Sequence, residues 1–427
     1  MAHFTKPAEG SWTEHFGLDT GPVSYDDSIS PEHYELERDA IFRKTWLNVG
    51  RMEQLPRTGA YFTKELHAAR TSVIVVRDPD GSPRAFHNVC RHRGNKLVWD
   101  DYPRDETSGT CRQFTCKYHG WRYGLDGGLT FVQQEGEFFD LDKDAYGLAP
   151  VRCEVWEGFV FVNLDNDAAS LEESLGQMGA DLAGYPFGEM TQVSKYRAEV
   201  GANWKLFIDA FTEFYHAPVL HAKQATAEES RKLAGVGYEA LAYEIKGDHA
   251  VVSSWGGMSP PKDLAMVKPI EQVTRSGLFG PWDGPDLGEL PPGVNPSGHP
   301  KWGVDSFLLF PNFMLLIWKP GWYLTYHYWP TSYNTHIFEG GLYFVSPKNA
   351  RERVAQELAA VTFKEYALQD GNTLEATQVM LESQAVTEFP LNDQEVLLRH
   401  LHTVCRRHIA EYLESQPETA VRISAAS

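Results

Sequence analysis

Cys90-Arg91-His92-Arg93-Gly94 and Cys116-Lys117-Tyr118-His119-Gly120-Trp121 decide the reading of this chain. Each run places one thiol and one imidazole a few residues apart. A [2Fe–2S] cluster that takes two Cys on one iron and two His on the other needs that mixture, and each run can supply one ligand to each iron. Thiolates neutralise ferric charge strongly and neutral imidazoles weakly, so such a cluster carries less negative charge and a higher potential than an all-Cys one. Each imidazole keeps a second N–H, which lets a proton accompany an electron. Gly94 and Gly120 sit just after the ligands, two residues past His92 and one past His119, where the backbone must turn and offer N–H groups. A tetrahedral zinc site also takes two Cys and two His, but it usually pairs Cys with Cys and His with His. The mixed runs fit it poorly.

These runs resemble the ligand motifs of the large (alpha) subunit of Rieske non-haem iron oxygenases, the aromatic-ring-hydroxylating oxygenases, and the resemblance extends over nearly the whole chain. It implies that Cys90, His92, Cys116 and His119 hold the cluster. One departure is the 23 residues between His92 and Cys116, a longer interval than the family usually shows. The polar, turn-rich stretch from Asp100 to Gly109 reads as a surface excursion between the ligand loops. Cys111, at its end, competes for the ligand role, but no His follows it two or three residues on, which favours Cys116.

The chain has 427 residues, 42% of them hydrophobic, enough for two or three domains with real cores. A net charge of −19 argues against nucleic acid or an anionic membrane as partner. Five cysteines are too few for a disulfide framework and suit a reducing compartment. The N-terminus has no apolar core segment and no run approaches a membrane span, so the expected location is the cytoplasm.

Residues 1–45 carry a helix signal, Ser30-Pro31-Glu32, followed by an apolar stripe from Tyr34 to Trp46. From 46 to 165 short strands dominate, among them Ser72–Arg77 and Gly158–Asn163. An acidic connector follows over about 166–190. Beyond it, segments at 307–310, 313–318, 323–329 and 335–345 read as successive antiparallel strands, flanked by helices at about 203–216, 350–382 and 392–414. Periodicity supports an α+β class. The resemblance implies the rest: a helical segment 1–45 packed on the catalytic domain, a Rieske [2Fe–2S] domain over 46–165, and a helix-grip (START-like) catalytic domain with an antiparallel sheet over 166–427. The Gly/Pro-rich stretch 256–303 reads as a binding loop, a lid or an ordered surface insertion.

A second metal site is visible in the segment Asn203–His221. Trp204, Phe207, Ile208, Phe211 and Tyr215 recur at helical spacing, so Asp209, Glu213 and His216 are expected on a largely buried helix, where ionisable groups need partners. Pro218 should end or kink that helix near Ala217 and swing His221 back toward His216. Two His and one carboxylate with open positions is the pattern of non-haem Fe(II) oxygenases. The resemblance implies that His216, His221 and Asp370 hold a mononuclear Fe(II), with Glu375 as the competing carboxylate. It also implies that Glu213 bridges the two metal centres, with Asp209 as a substitute.

The resemblance further implies a terminal oxygenase that takes electrons from an external ferredoxin or NAD(P)H-dependent reductase. No G-x-G-x-x-G motif follows a strand, so NAD(P)H should bind elsewhere. The assembly implied is a homotrimer or α3β3 complex. Phe207, Phe211, Phe310, Phe313, Leu315, Trp318 and Tyr326 are candidate pocket walls, which suggests O2 chemistry on an apolar, aromatic or polycyclic compound. Oxidative O- or N-demethylation, or attack on a quaternary amine, fits the same iron chemistry. A non-enzyme reading, an electron-transfer and ligand-binding protein, would lack the second iron.

Overall fold

In this computed structural model, residues 6–100, 106–221, 240–255, 268–277 and 280–416 are described. Contacts divide the chain into two units, one of residues 38–174 and one that joins residues up to Glu37 to those from Leu175 onward.

The first unit grows from the β-branched run Val73-Ile74-Val75-Val76, which suits a strand buried on both faces. Its strands are β1 (Leu47–Arg51), β2 (Ala60–Leu66), β3 (Thr71–Arg77), β4 (Pro83–His87), β5 (Ser108–Thr110), β6 (Phe114–Thr115), β7 (Arg122–Tyr123), β8 (Leu129–Phe131), β9 (Pro150–Trp156) and β10 (Phe159–Asn163). Seven form a sheet in the order β1-β10-β9-β4-β3-β2-β5, and β6-β7-β8 form a smaller one. The first ligand run leaves β4, and the second is the loop between β6 and β7. Between them Ile74, Phe86, Phe114, Trp121, Tyr123 and Leu129 make a core that includes Cys90 and Cys116. The expected surface excursion is only partly a loop. Ser108–Thr110 pairs with β2 as an edge strand, and residues 101–105 lie outside the described residues.

The second unit contains β11 (Gln192–Val200), β12 (Ala240–Lys246), β13 (His249–Trp255), the two-residue pair β14 (Ser276–Gly277) and β15 (Gly280–Pro281), then β16 (Trp302–Leu309), β17 (Phe313–Trp318), β18 (Trp322–Ser332) and β19 (Thr335–Phe344). One antiparallel sheet runs β11-β19-β18-β17-β16-β13-β12. Every residue of β16 and β17 is buried, as expected of strands covered on both faces. Of the Gly/Pro-rich stretch, residues 256–267 and 278–279 lie outside the described residues, and Pro269–Thr274 is a short helix.

The apolar spacing predicts one continuous helix through 203–216. The structure corrects this: a helix covers Trp204–Phe211, and a second, Ala217–Leu220, starts after a break. Thr212 ends the first, its hydroxyl donating to the Ile208 and Asp209 carbonyls at 3.2 and 3.1 Å. Pro218 therefore breaks nothing. It sits in the first turn of the second helix, where its missing N–H costs no hydrogen bond. The long helix Ala350–Glu382 starts on an Asn349 cap and buries a stripe of Ala355, Ala359, Phe363, Tyr366, Ala367 and Asp370. A further helix spans Val396–Ser415. No helix among the described residues is long and apolar enough to cross a membrane.

Candidate metal centres

The first centre is shaped by backbone. Gly94 N–H donates to the Cys90 carbonyl at 3.0 Å, and Gly120 N–H to the Cys116 carbonyl at 2.9 Å. Both glycines have positive φ, +70° and +72°, the left-handed region that L side chains avoid. Each ligand run is thus a closed turn that ends on a glycine. The second turn is locked further where Cys116 N–H donates to the Trp121 carbonyl at 2.8 Å. Cys90 and Cys116 are buried. The Tyr123 hydroxyl accepts from Arg91 N–H at 3.1 Å and lies 3.2 Å from Cys90 Sγ, within reach to donate to a thiolate there. The His92 and His119 rings are 4.5 Å apart, with His92 stacked on Trp121 at 4.9 Å. Burial, then the neighbouring His119, lowers the His92 pKa and keeps that imidazole neutral. The two thiols and two imidazoles do not all converge within 4.8 Å, as ligands of one zinc ion would. Among the described residues only His216, His221 and Asp370 converge in that way. Four donors spread over a wider space suit a cluster whose two irons divide them.

The second centre is built from side chains. His216 Nε2 and His221 Nε2 lie 3.3 Å apart, and 3.7 and 3.5 Å from Asp370 Oδ1. Both remaining ring nitrogens are occupied. Glu213 bonds His216 Nδ1 and accepts from its backbone N–H, and Gln369 Oε1 lies 2.8 Å from His221 Nδ1. An acceptor on each Nδ1 fixes the tautomer that points a bare Nε2 inward, the usual support of a metal-binding imidazole. Asp370 is fully buried, and neither carboxylate oxygen has a hydrogen-bond partner among the described residues. An ionised carboxylate left so costs several kcal/mol, and a cation among the three ligand atoms removes that cost. Without one, burial pushes the Asp370 carboxyl up to about 7. Burial drives His221 down to about 4, while Glu213 and then Asp370 outweigh burial and lift His216 to about 9. The donor set fits a mononuclear iron.

Glu375, the competing carboxylate, is exposed and accepts from Gly201 N–H at 2.9 Å. Asp209 pairs with His402 and not with His216. Its Oδ2 lies 3.3 Å from His402 Nε2.

Two cavities flank the triad. One, of about 70 Å³, is walled by Phe211, Phe214, Trp318, Tyr326, Phe363 and Tyr366 and reaches Glu213, His216 and His221. The other, of about 320 Å³, is lined by Asp209, Glu213, His216 and Asp370 among apolar residues from Leu206 to Leu398. Of the expected walls, Phe211, Trp318 and Tyr326 are in place. Four are not, and strand parity explains two of them. Successive strand residues face opposite sides, so Leu316 and Trp318 line the cavity while Leu315 and Phe313 face away. Phe313 stacks on His327 and Phe310 on His408. Phe207 packs on Phe338 at 4.6 Å in the core. Sequence reasoning missed Phe363, Tyr366 and Gln369. Phe363 and Tyr366 stand seven and four residues before Asp370, a helical spacing that would have found them.

With this geometry in view, residues 187–411 match the family profile of the ring hydroxylating alpha subunit (catalytic domain), and residues 45–141 match the Rieske [2Fe-2S] domain. The chain belongs to the ring-hydroxylating alpha-subunit family. It is similar to the carnitine monooxygenase oxygenase subunit of Escherichia coli (strain K12), 33% identical over 199 residues, 46% of this chain and 50% of that protein. It is similar to the glycine betaine monooxygenase oxygenase subunit of Chromohalobacter salexigens, 36% identical over 192 residues, 45% of this chain and 41% of that one. The chain spans about half the length of the curated relatives it matches. In fold it resembles a quaternary ammonium Rieske monooxygenase, with a TM-score of 0.71 at 20% identity over 95% of this chain and 100% of that one. It also resembles naphthalene 1,2-dioxygenase with indole bound, with a TM-score of 0.67 at 20% identity over 94% and 95%. As a family member it carries the two kinds of centre, a Rieske cluster and a mononuclear iron.

Proposed function

We propose that this chain is the terminal subunit of a monooxygenase acting on a small quaternary ammonium compound. In this reading Cys90, His92, Cys116 and His119 hold the cluster, and His216, His221 and Asp370 hold the iron. When bound, the two groups supply electron relay and O2 activation. Glu213 and Gln369 fix the ligand imidazoles. An external ferredoxin or NAD(P)H-dependent reductase supplies electrons, and three copies, with or without a small β subunit, form the assembly.

The observation that carries the substrate class is the aromatic cavity beside His221. Six aromatic side chains wall it, no Lys or Arg among the described residues lines it, and Glu213 adds an acidic edge. Ring faces attract a cation, all the more when water is excluded. The volume lies well below the several hundred Å³ that enclose a drug-sized ligand, which suits a trimethylammonium head better than a polycyclic ring. The names of the curated relatives support the same class, and weight moves away from aromatic hydrocarbons as substrates.

The test compares choline, carnitine and glycine betaine with neutral tert-butyl isosteres and with naphthalene, using holoenzyme and a surrogate reductase. Product-coupled O2 uptake with a quaternary amine and little with its isostere is the expected result. Equal turnover of the isosteres, or turnover of naphthalene alone, would overturn the substrate class.

A further inference from the structure

Behind the metal ligands lies a chain of ionisable groups that the reading above does not use. His402, on the helix Val396–Ser415, is buried with both ring nitrogens engaged by carboxylates from two other elements. Nδ1 is 2.8 Å from Asp27 Oδ2, and Nε2 is 3.3 Å from Asp209 Oδ2. The two ends open on different spaces. Asp27 and His402 line a cleft of about 380 Å³ whose rim includes the exposed Asp26 and Arg406. Asp209 lines the 320 Å³ cavity shared with Glu213, His216 and Asp370. Its Oδ1 is buried and has no hydrogen-bond partner among the described residues. Either space is large enough for several waters.

We propose that Asp27, His402 and Asp209 form a proton relay from the outer cleft to the cavity beside the iron ligands. The inference rests on the oxygenase reading, because reduction of O2 during monooxygenation takes up protons as well as electrons. Asp209 starts neutral with its proton on Oδ1: His402 gives its Nε2 proton to Oδ2 as the Oδ1 proton passes to water in the inner cavity, and rotation of the carboxyl returns the remaining proton to Oδ1. A half-turn of the imidazole presents its bare nitrogen to Asp27 and the cleft, where it is reprotonated. Each cycle moves one proton and no electron.

The surroundings suit the two carboxylates to different tasks. Asp27 is held ionised against its burial by His402, Lys205 and Arg406. Burial raises the pKa of Asp209, with His402 and Lys205 opposing, so Asp209 can take a proton and pass it on. The other groups facing the relay are Tyr25, His33 and Glu37 from the N-terminal segment, Lys205 from the helix Trp204–Phe211, and Glu395, Arg399 and Cys405 beside or on its own helix. Lys205 and Glu37 form a fully buried ion pair that also meets His33, the Trp204 indole N–H and the Asp27 carbonyl; among the described residues, His402 is the group that contacts a carboxylate lining each space.

The test uses His402→Gln and Asp209→Asn holoenzymes with a turned-over substrate, over pH 6 to about 9. A relay predicts unchanged KM and a kcat that falls about tenfold per pH unit in the variants, since bulk protons must then serve, against a flat wild-type profile. Variant profiles parallel to wild type would overturn the relay, whatever their absolute rate. A second readout needs neither substrate nor the mononuclear iron. Ring-15N histidine NMR of iron-depleted protein should show His402 charged at pH 7.5 and its titration displaced by Asp209→Asn. A neutral His402 that ignores that substitution would overturn the relay even if His402→Gln fails to accumulate. If no quaternary amine turns over while uncoupled O2 uptake shows the predicted pH dependence, the substrate class fails and the relay stands.

Discussion

The two centres are made in opposite ways. The cluster site is a property of backbone: two short turns, each closed by an N–H to a ligand carbonyl and ended by a left-handed glycine, with all four donors inside a stretch of 30 residues from Cys90 to His119. The mononuclear site is a property of side chains, brought together from the break after Phe211 and from the helix Ala350–Glu382, some 150 residues on. A site folded into local turns is protected from changes elsewhere. A site assembled by packing depends on every element that carries a donor and on the groups behind it.

The largest effect that could break this contrast is at the ligands themselves. Asp370→Ala should lower iron from about three per chain to about two and abolish turnover, while the reduced cluster keeps its low-field paramagnetic signal. His119→Ala should do the converse, removing that signal and retaining the mononuclear iron. Metal analysis with paramagnetic resonance reads both. Loss of all iron in either variant would show that the centres are not independent.

Next comes support from behind. Gln369→Leu removes the acceptor at His221 Nδ1 and should weaken iron binding by about 10- to 100-fold, measured by competition with a chelator. An unchanged affinity would mean that packing alone orients the ring.

The side-chain site should also make its unit sensitive to pH. Burial opposes charge on His402, but Asp27 and Asp209 outweigh it and lift its pKa to about 9, above the ordinary value of about 6.5. A raised folded-state pKa stabilises fully below about pH 6.5, and that stability is lost as pH rises through about 9. The contribution is at most about 3 kcal/mol. Thermal melts of wild type should therefore fall between pH 6.5 and 9 more steeply than those of His402→Gln. Parallel slopes would remove His402 from the balance.

The smallest effects are at glycines. A Cβ at Gly94 meets nothing within 4 Å, so Gly94→Ala costs only the left-handed backbone, about 1–2 kcal/mol, and should reduce cluster occupancy. Gly371, beside Asp370 in a regular helix, is also unobstructed. Gly371→Ala should stabilise by up to about 1 kcal/mol with iron affinity unchanged. Equal and opposite results would contradict the backbone-versus-side-chain division.

The same division explains what could be read in advance. The candidate cluster ligands lie in two short runs, so Cys-x-His-x-Gly and Cys-x-x-His-Gly were legible as written. The pair His216 and His221 was legible because it is local. Asp370 came through the family resemblance, and the choice between Glu213 and Asp209 stayed open until packing placed Asp209 against His402. The helix break at Thr212 was hidden because Phe211 and Tyr215 continue the apolar spacing. Pro218, the obvious breaker, belongs to the next helix's first turn. Three of the seven expected walls line the aromatic cavity, because a run of apolar residues such as Phe313–Trp318 does not announce which alternate residues face inward.

One feature of the long helix bears on anyone wishing to retune this protein for a new compound. Phe363 and Tyr366, which touch whatever occupies the aromatic chamber, ride on the same rigid rod as Gln369 and Asp370. A mutant library aimed at those two rings will shift the rod and disturb iron loading in the same stroke. Val304 and Leu316, on strands that carry no donor, face the same chamber and offer laboratory evolution a way to vary selectivity without that entanglement.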